Sequence, residues 1–297
     1  MKGDRAVAID AAAVATISIA ILAASRELMV MTAFVPGVMA LRTVVFCQLP
    51  HEERELTALR ETAFLIGCAV LGGFNDWMSV ARHGVYDYDV PVFLPELSPI
   101  PIWMLLYWGL ILRFVATLGR WDRLGEAKAG GGLARLGVRS PALNIAIELL
   151  LVVATRQLIY RFYEDPIWSW VPFAGALALF AVLFGVDARG RWLALLFAVG
   201  GPVIEVLYIQ VGGLHRYHLG WLGGVPLWIA LWWVLAALIW RDLSGRVISA
   251  LAVGLPVRSW RAARTRRRAC RASGRRQPAV PAGRAGPRCS SRRSSQQ

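Results

Sequence analysis

Long apolar runs constrain this chain more than any other feature. They fall at residues 6–25, 28–47, 62–82, 100–119, 142–160, 168–186, 192–212 and 223–241. A helix needs about 20 largely apolar residues to cross a hydrocarbon core, and each run reaches or approaches that length. The expected fold class is therefore all-α: a polytopic membrane protein of about eight transmembrane helices. Only Ser25, Arg26 and Glu27 part the first two runs, a junction that also suits one helix plus a re-entrant piece. The sequence opens Met-Lys-Gly-Asp-Arg before its first run, as a signal peptide does. A second run follows at once, so an uncleaved first helix is expected.

The net charge of +14 belongs to a tail. Thirteen arginines and no acid lie from Arg258 onward, which leaves the preceding residues near neutrality. That tail is rich in Arg, Ser, Ala, Pro and Gly and has no apolar period. It is expected to be disordered, and beside a membrane to bind anionic lipid at about 1 kcal/mol per basic residue. No folded nucleic-acid module accompanies it, so no nucleic-acid partner is expected. Cys47 and Cys68 sit in apolar runs and Cys270 and Cys289 in the tail, without a CxxC. Neither a metal nor a redox cofactor is expected.

Connection charge sets the orientation. One set of connections holds Lys2, Arg5, Arg54, Arg60, Arg120, Arg123, Lys128, Arg135, Arg139, Arg189, Arg191 and the tail. The other holds Arg26, Arg161 and Arg216, with Arg82 at a helix end and an acidic loop of Asp87, Asp89 and Glu96. The sets alternate across all eight runs. A multi-pass protein of the cell inner (plasma) membrane with both termini cytoplasmic is expected.

The two halves resemble each other. Pro101-Ile102-Trp103 leading to Tyr107-Trp108 matches Pro226-Leu227-Trp228 leading to Trp232-Trp233 without a gap. Proline suits a first helical turn, and the tryptophans just inside fit an interfacial aromatic belt. Gly72-Gly73 precedes Asp76, and Gly200-Gly201 precedes Glu205. A tyrosine-bearing outer loop follows each acid, Tyr86-Asp87-Tyr88 and His215-Arg216-Tyr217. The expected organisation is a first four-helix repeat over 1–119, a cytoplasmic linker over 120–141 with Gly130-Gly131-Gly132, a second repeat over 142–245, and a basic tail over 246–297. The repeats run in the same sense, about an axis along the membrane normal.

Asp76 and Glu205 are the candidate catalytic residues. An acid inside a span costs at least about 2.5 kcal/mol, so it faces the bundle interior or a cavity. Two carboxyls brought together by the repeat axis do not both ionise readily, so one can give a proton while the other takes one. A structural hydrogen bond from each acid to a neighbouring helix is the competing reading. Asn75, Trp77, Tyr86, Tyr88, Trp103, Tyr208, Tyr217 and Trp228 are candidate substrate contacts. Their aromatic faces either pack helices or line a cavity that stabilises a cation. Glu61 suits the positive start of the third helix. His83, His215 and His218 gather at the outer face, where a metal or simple solvation are alternatives. His51-Glu52-Glu53 reads as a solvated stretch.

The segment Gly84-Val85-Tyr86-Asp87-Tyr88, then Pro99-Ile100-Pro101 and a tryptophan-bearing helix, resembles a motif of the integral-membrane carotenoid biosynthesis proteins. That group includes the bacterioruberin and carotenoid hydratases. Tyr217 through Gly223-Gly224-Val225-Pro226 to Trp233 is similar to their second motif. The T-G-x-P-F-G stretch of that family is replaced here by Ser79-Val80-Ala81-Arg82-His83. The resemblance implies a long isoprenoid substrate that enters from the bilayer and is protonated at a double bond, then hydrated or cyclised, with Asp76 and Glu205 as acid and base. A proton-coupled transporter, with Pro202 interrupting the seventh helix, and a non-catalytic assembly partner are the other readings.

Overall fold

The computed structural model describes residues 3–126 and 140–252. About three quarters of them are helical. The order is α1 (Asp4–Ala24), α2 (Leu28–Cys47), a short α3 (His51–Arg54), α4 (Ala58–Trp77), β1 (Tyr86–Tyr88), α5 (Ile102–Leu118), α6 (Pro141–Phe162), α7 (Val171–Phe184), α8 (Ala188–Gln210), β2 (His215–Tyr217) and α9 (Leu227–Ala252). The glycine run of the expected linker and the arginine tail lie outside the described residues.

Among the described residues six helices are long and apolar enough to cross a membrane: α1, α2, α4 with its extension to Arg82, α6, α8 and α9. α5 and α7 are shorter, at 17 and 14 residues. Pro101 sets the start of α5 and Gly185, at φ 74°, stops α7, since only glycine takes that backbone region freely. The tight junction after α1 leads into a second full helix rather than a re-entrant piece. Pro202 does not interrupt α8, which runs unbroken from Ala188 to Gln210. α9 passes the expected boundary at residue 245 and ends at Ala252. Arg246 pairs with Asp242 at 2.6 Å one turn back, and Arg60 donates to the Leu251 carbonyl at 2.6 Å, which holds the added turns.

Helix starts follow ordinary capping chemistry. Thr57, Ser140 and Asp187 side chains accept from the backbone N–H three residues on, satisfying donors that the first turn leaves open. In lipid, helices associate through close packing rather than hydrophobic burial, and glycine permits that here. A Cβ on Gly109 would stand 2.8 Å from Ala69 Cβ, one on Gly72 would stand 2.7 Å from Trp108 Cβ, and one on Gly201 would stand 2.5 Å from Trp233. The broadest helix contacts are α4 on α5 and α8 on α9. α1 joins these pairs through Ser18, whose Oγ lies 2.8 Å from both Tyr107 Oη and Tyr208 Oη.

Trp103 and Trp228 are buried: Trp228 packs on Phe173 and Tyr217, and Trp103 joins the same core.

Candidate functional site

The two tyrosine-bearing loops are strands, and they pair. β1 and β2 run antiparallel with Tyr86 opposite Tyr217, Asp87 opposite Arg216 and Tyr88 opposite His215. Arg216 reaches Asp89 at 3.4 Å and Asp87 at 3.7 Å across this ribbon. The pairing brings the ends of α4 and α8 under one small cap.

Asp76 is buried in the last turn of α4. Its carboxylate accepts from the Tyr86 hydroxyl and, at 2.8 Å, from the Tyr88 hydroxyl, and the Trp108 indole lies beside it. Glu205 is buried in α8 and is held in the same way. It accepts from the Tyr217 hydroxyl at 3.3 Å, and His215 Nε2 lies 2.9 Å from its Oε2. The donors follow each acid at one spacing, ten and twelve residues on: Tyr86 and Tyr88 after Asp76, His215 and Tyr217 after Glu205. The rings close the gap between the acids. Tyr86 meets Tyr217 at 5.1 Å and His215 at 5.6 Å, and Tyr88 meets His215 at 5.9 Å.

Burial, and after it the Asp76 carboxylate, push the Tyr86 and Tyr88 phenols well above the ordinary tyrosine value; burial and Glu205 do the same to Tyr217. These phenols are permanent donors at physiological pH and cannot act as bases. Asp76 accepts from two such donors. Glu205 and His215 form a carboxylate–imidazole contact.

The chain changes winding beside Asp76. Residues Met78–Arg82 form a π-helical turn, a feature that concentrates at functional sites. Arg156 of α6 explains it: its guanidinium donates to Ser79 Oγ and, at 3.3 Å, to the Asn75 carbonyl, and Ser79 Oγ donates to that same carbonyl at 2.8 Å. Arg156 also lies 4.9 Å from the centres of the Tyr160 and Trp232 rings.

Below Asp76 a half-open apolar cleft of about 150 Å³ lies among α4, α5, α6 and α9. Gly72, Asn75, Trp108, Trp232 and Trp233 line it, and Leu71 and Leu149 at its rim are exposed, as side chains facing lipid are. Trp108 and Trp233 stack at 5.9 Å within it.

The structure thus gathers Asp76, Glu205, Tyr86, Tyr88 and Tyr217, with Trp228 against Tyr217 at 5.7 Å. Asn75 lines the cleft. Tyr208 belongs to the hydroxyl cluster with Ser18 and Tyr107, Trp103 to the core, and Trp77 packs on Phe74 at 6.5 Å; none of the three enters the cleft. The three outer histidines part company. His83 stacks on Tyr160 at 3.9 Å, and exposed His218 lies 3.8 Å from Asp87. Among the described residues no group of three or more His, Cys, Asp or Glu is placed to hold a metal.

Two features escaped sequence reasoning. His215 is a partner of Glu205, a role its position after the acid repeats from Tyr86. A buried charge network also fills the opposite end of the first helices. Arg42 donates to Asp10 and Glu61, each at 2.6 Å; Arg113 donates to Glu61 at 2.8 Å; and Thr117 donates to Asp10 at 2.5 Å. Glu61 therefore does more than suit a helix start: it ties α2 and α5 to α4. The signal available was three ionisable residues inside spans, which rarely stand alone. No family model, curated protein or solved structure matches this chain.

Proposed function

We propose that the chain is an integral membrane enzyme that carries out acid–base chemistry, hydration or cyclisation, on an isoprenoid-like lipid, with Asp76 and Glu205 as the reacting pair. In this reading it is a duplicated bundle of eight spans, two four-helix repeats with both termini cytoplasmic in the cell inner membrane. The matched spacing from each acid to its donors supports the duplication. So does a ribbon register that maps onto itself when Tyr86 exchanges with His215 and Tyr88 with Tyr217.

The observation that supports the chemistry is a cap that draws two buried carboxyls together beside an apolar cleft lined by Asn75 and Trp108, the neighbours of Asp76. The cleft's volume suits a few carbons of a long chain rather than a whole ligand, since drug-sized pockets run to about 300–1,000 Å³. The Glu205–His215 pair is assigned as acid and Asp76 as base. A proton from the pair adds to a double bond and leaves a carbocation. In hydration, water adds to that centre and its surplus proton passes to Asp76; in cyclisation, a second double bond adds and Asp76 removes a neighbouring proton. A desolvated cation over an indole face gains up to about 2 kcal/mol. Arg156 already covers Trp232 and Trp233 stacks on both Trp108 and Phe197, so that role falls to Trp108.

In a reconstituted assay with an isoprenoid substrate, Asp76→Asn and Glu205→Gln should each lower turnover by about 100-fold or more, the usual weight of a general acid or base. Full turnover in both variants would contradict the assignment. A proton-coupled carrier is the second reading, favoured by buried ionisable groups at both ends of the bundle. Proton-driven solute uptake into proteoliposomes, lost in the same variants, would support it instead.

A further inference from the structure

Glu148 of α6 is 0% exposed. Among the described residues no N–H or O–H of the protein donates to either of its carboxyl oxygens. The ionisable group beside it is a second acid, Asp242 of α9. Two carboxyls can share a hydrogen bond only when one carries a proton, because an ionised carboxylate only accepts. Asp242 has its own cation, Arg246, at 2.6 Å. The next cation, Arg241, is engaged by Asp187 at 2.5 Å. Glu148 has no such partner.

The corresponding place in the first half shows what is missing. The register that matches Pro101 with Pro226 and Trp103 with Trp228 also matches Thr117 with Asp242 and Arg113 with Leu238. The register that matches Asp76 with Glu205 sets Glu61 against Gly190. In the first half the Thr117 hydroxyl donates to the α1 acid Asp10, and Arg42 balances it at 2.5 Å. In the second half a carboxyl stands in the hydroxyl's place, and the Arg113 and Glu61 positions are Leu238 and Gly190. The Asp242 carboxylate, paired with Arg246, can only accept, so the contact between the two acids forms when Glu148 carries the proton and donates.

We propose that Glu148 and Asp242 form a proton-binding site that holds one shared proton at neutral pH, with the proton on Glu148. The match of positions rests on the duplication proposed above; the site is independent of the chemistry assigned to Asp76 and Glu205. Glu148 is sealed, whereas the Asp242 side chain is 45% exposed, so protons exchange by way of Asp242. The charged groups that set its behaviour are Asp242, Arg246 and Arg241.

The test uses the full chain in detergent without substrate. Infrared spectra at neutral pH should show a protonated-carboxyl carbonyl band that Glu148→Gln removes; the amide supplies Asp242 with an N–H donor and preserves the contact. Asp242→Asn should shift the loss of that band to lower pH, because the neighbouring negative charge is gone. No protonated-carboxyl band in the unaltered protein at neutral pH, or a band unchanged in Glu148→Gln, would overturn the proposal. Either result, with turnover still lost in Asp76→Asn, would leave the acid–base reading standing.

Discussion

At the residue scale, the site depends on how each acid is held. Asp76 accepts two phenolic donors and Glu205 accepts one beside an imidazole. Replacing a donor leaves the carboxyl in place and changes only its hydrogen bonding. Tyr88→Phe should therefore leave the fold intact and lower turnover less than Asp76→Asn, and steady-state rates of the two variants check it. His83 gives a prediction in pH. Burial first, then the nearby charges of Arg82 and Arg156, hold its imidazole below the ordinary histidine value. The native form then binds fewer protons than the unfolded chain between the two midpoints. Its contribution to stability is present above the unfolded midpoint of about 6.5 and is lost as pH falls through the folded one. An NMR titration of His83 should give a midpoint below that of a free histidine; one at or above it would contradict the assignment.

At the element scale, glycine contacts and the buried ion network hold the helices. Gly72→Ala and Gly201→Ala place a methyl into Trp108 and Trp233, and overpacking costs about 1–3 kcal/mol. Gly37→Ala meets nothing within 4 Å and should be neutral or slightly stabilising. Thermal unfolding in detergent separates the two classes. Arg42 is nearly inaccessible and bonds two acids, so Arg42→Met leaves Asp10 and Glu61 to share Arg113 and should cost about 3–5 kcal/mol, measured in the same way. The sequence showed α1, α2, α4, α6, α8 and α9 because run length alone marks a spanning helix. It did not show the shortness of α7 or the extension of α9, which depend on Gly185 and on the Arg246–Asp242 pair. Asp10, Arg42 and Arg113 each look like an isolated charge in an apolar run, and only the closing of four helices makes them a network.

At the scale of the whole molecule, the β1–β2 ribbon joins the parts of the chain before and after residues 127–139. Asp76 and Glu205 could be read from their double-glycine context, and the tyrosines from their loops. The roles of His215 and Arg156 could not, because both arise from contacts between distant segments. With Asp87→Cys and Arg216→Cys, directly opposed in the ribbon, a disulfide should form under mild oxidation in a background lacking the native cysteines, since opposed Cβ atoms in such a pair stand about 4.5–5.5 Å apart. Its absence on a non-reducing gel would contradict the ribbon. The central claim is that the paired acids transform an apolar lipid, and mass spectrometry of lipid extracts tests it most directly. Cells carrying the unaltered chain should contain an isoprenoid species, heavier by one water or isomeric with its precursor, that is missing from cells carrying Asp76→Asn or Glu205→Gln. Identical lipid profiles in all three would contradict it.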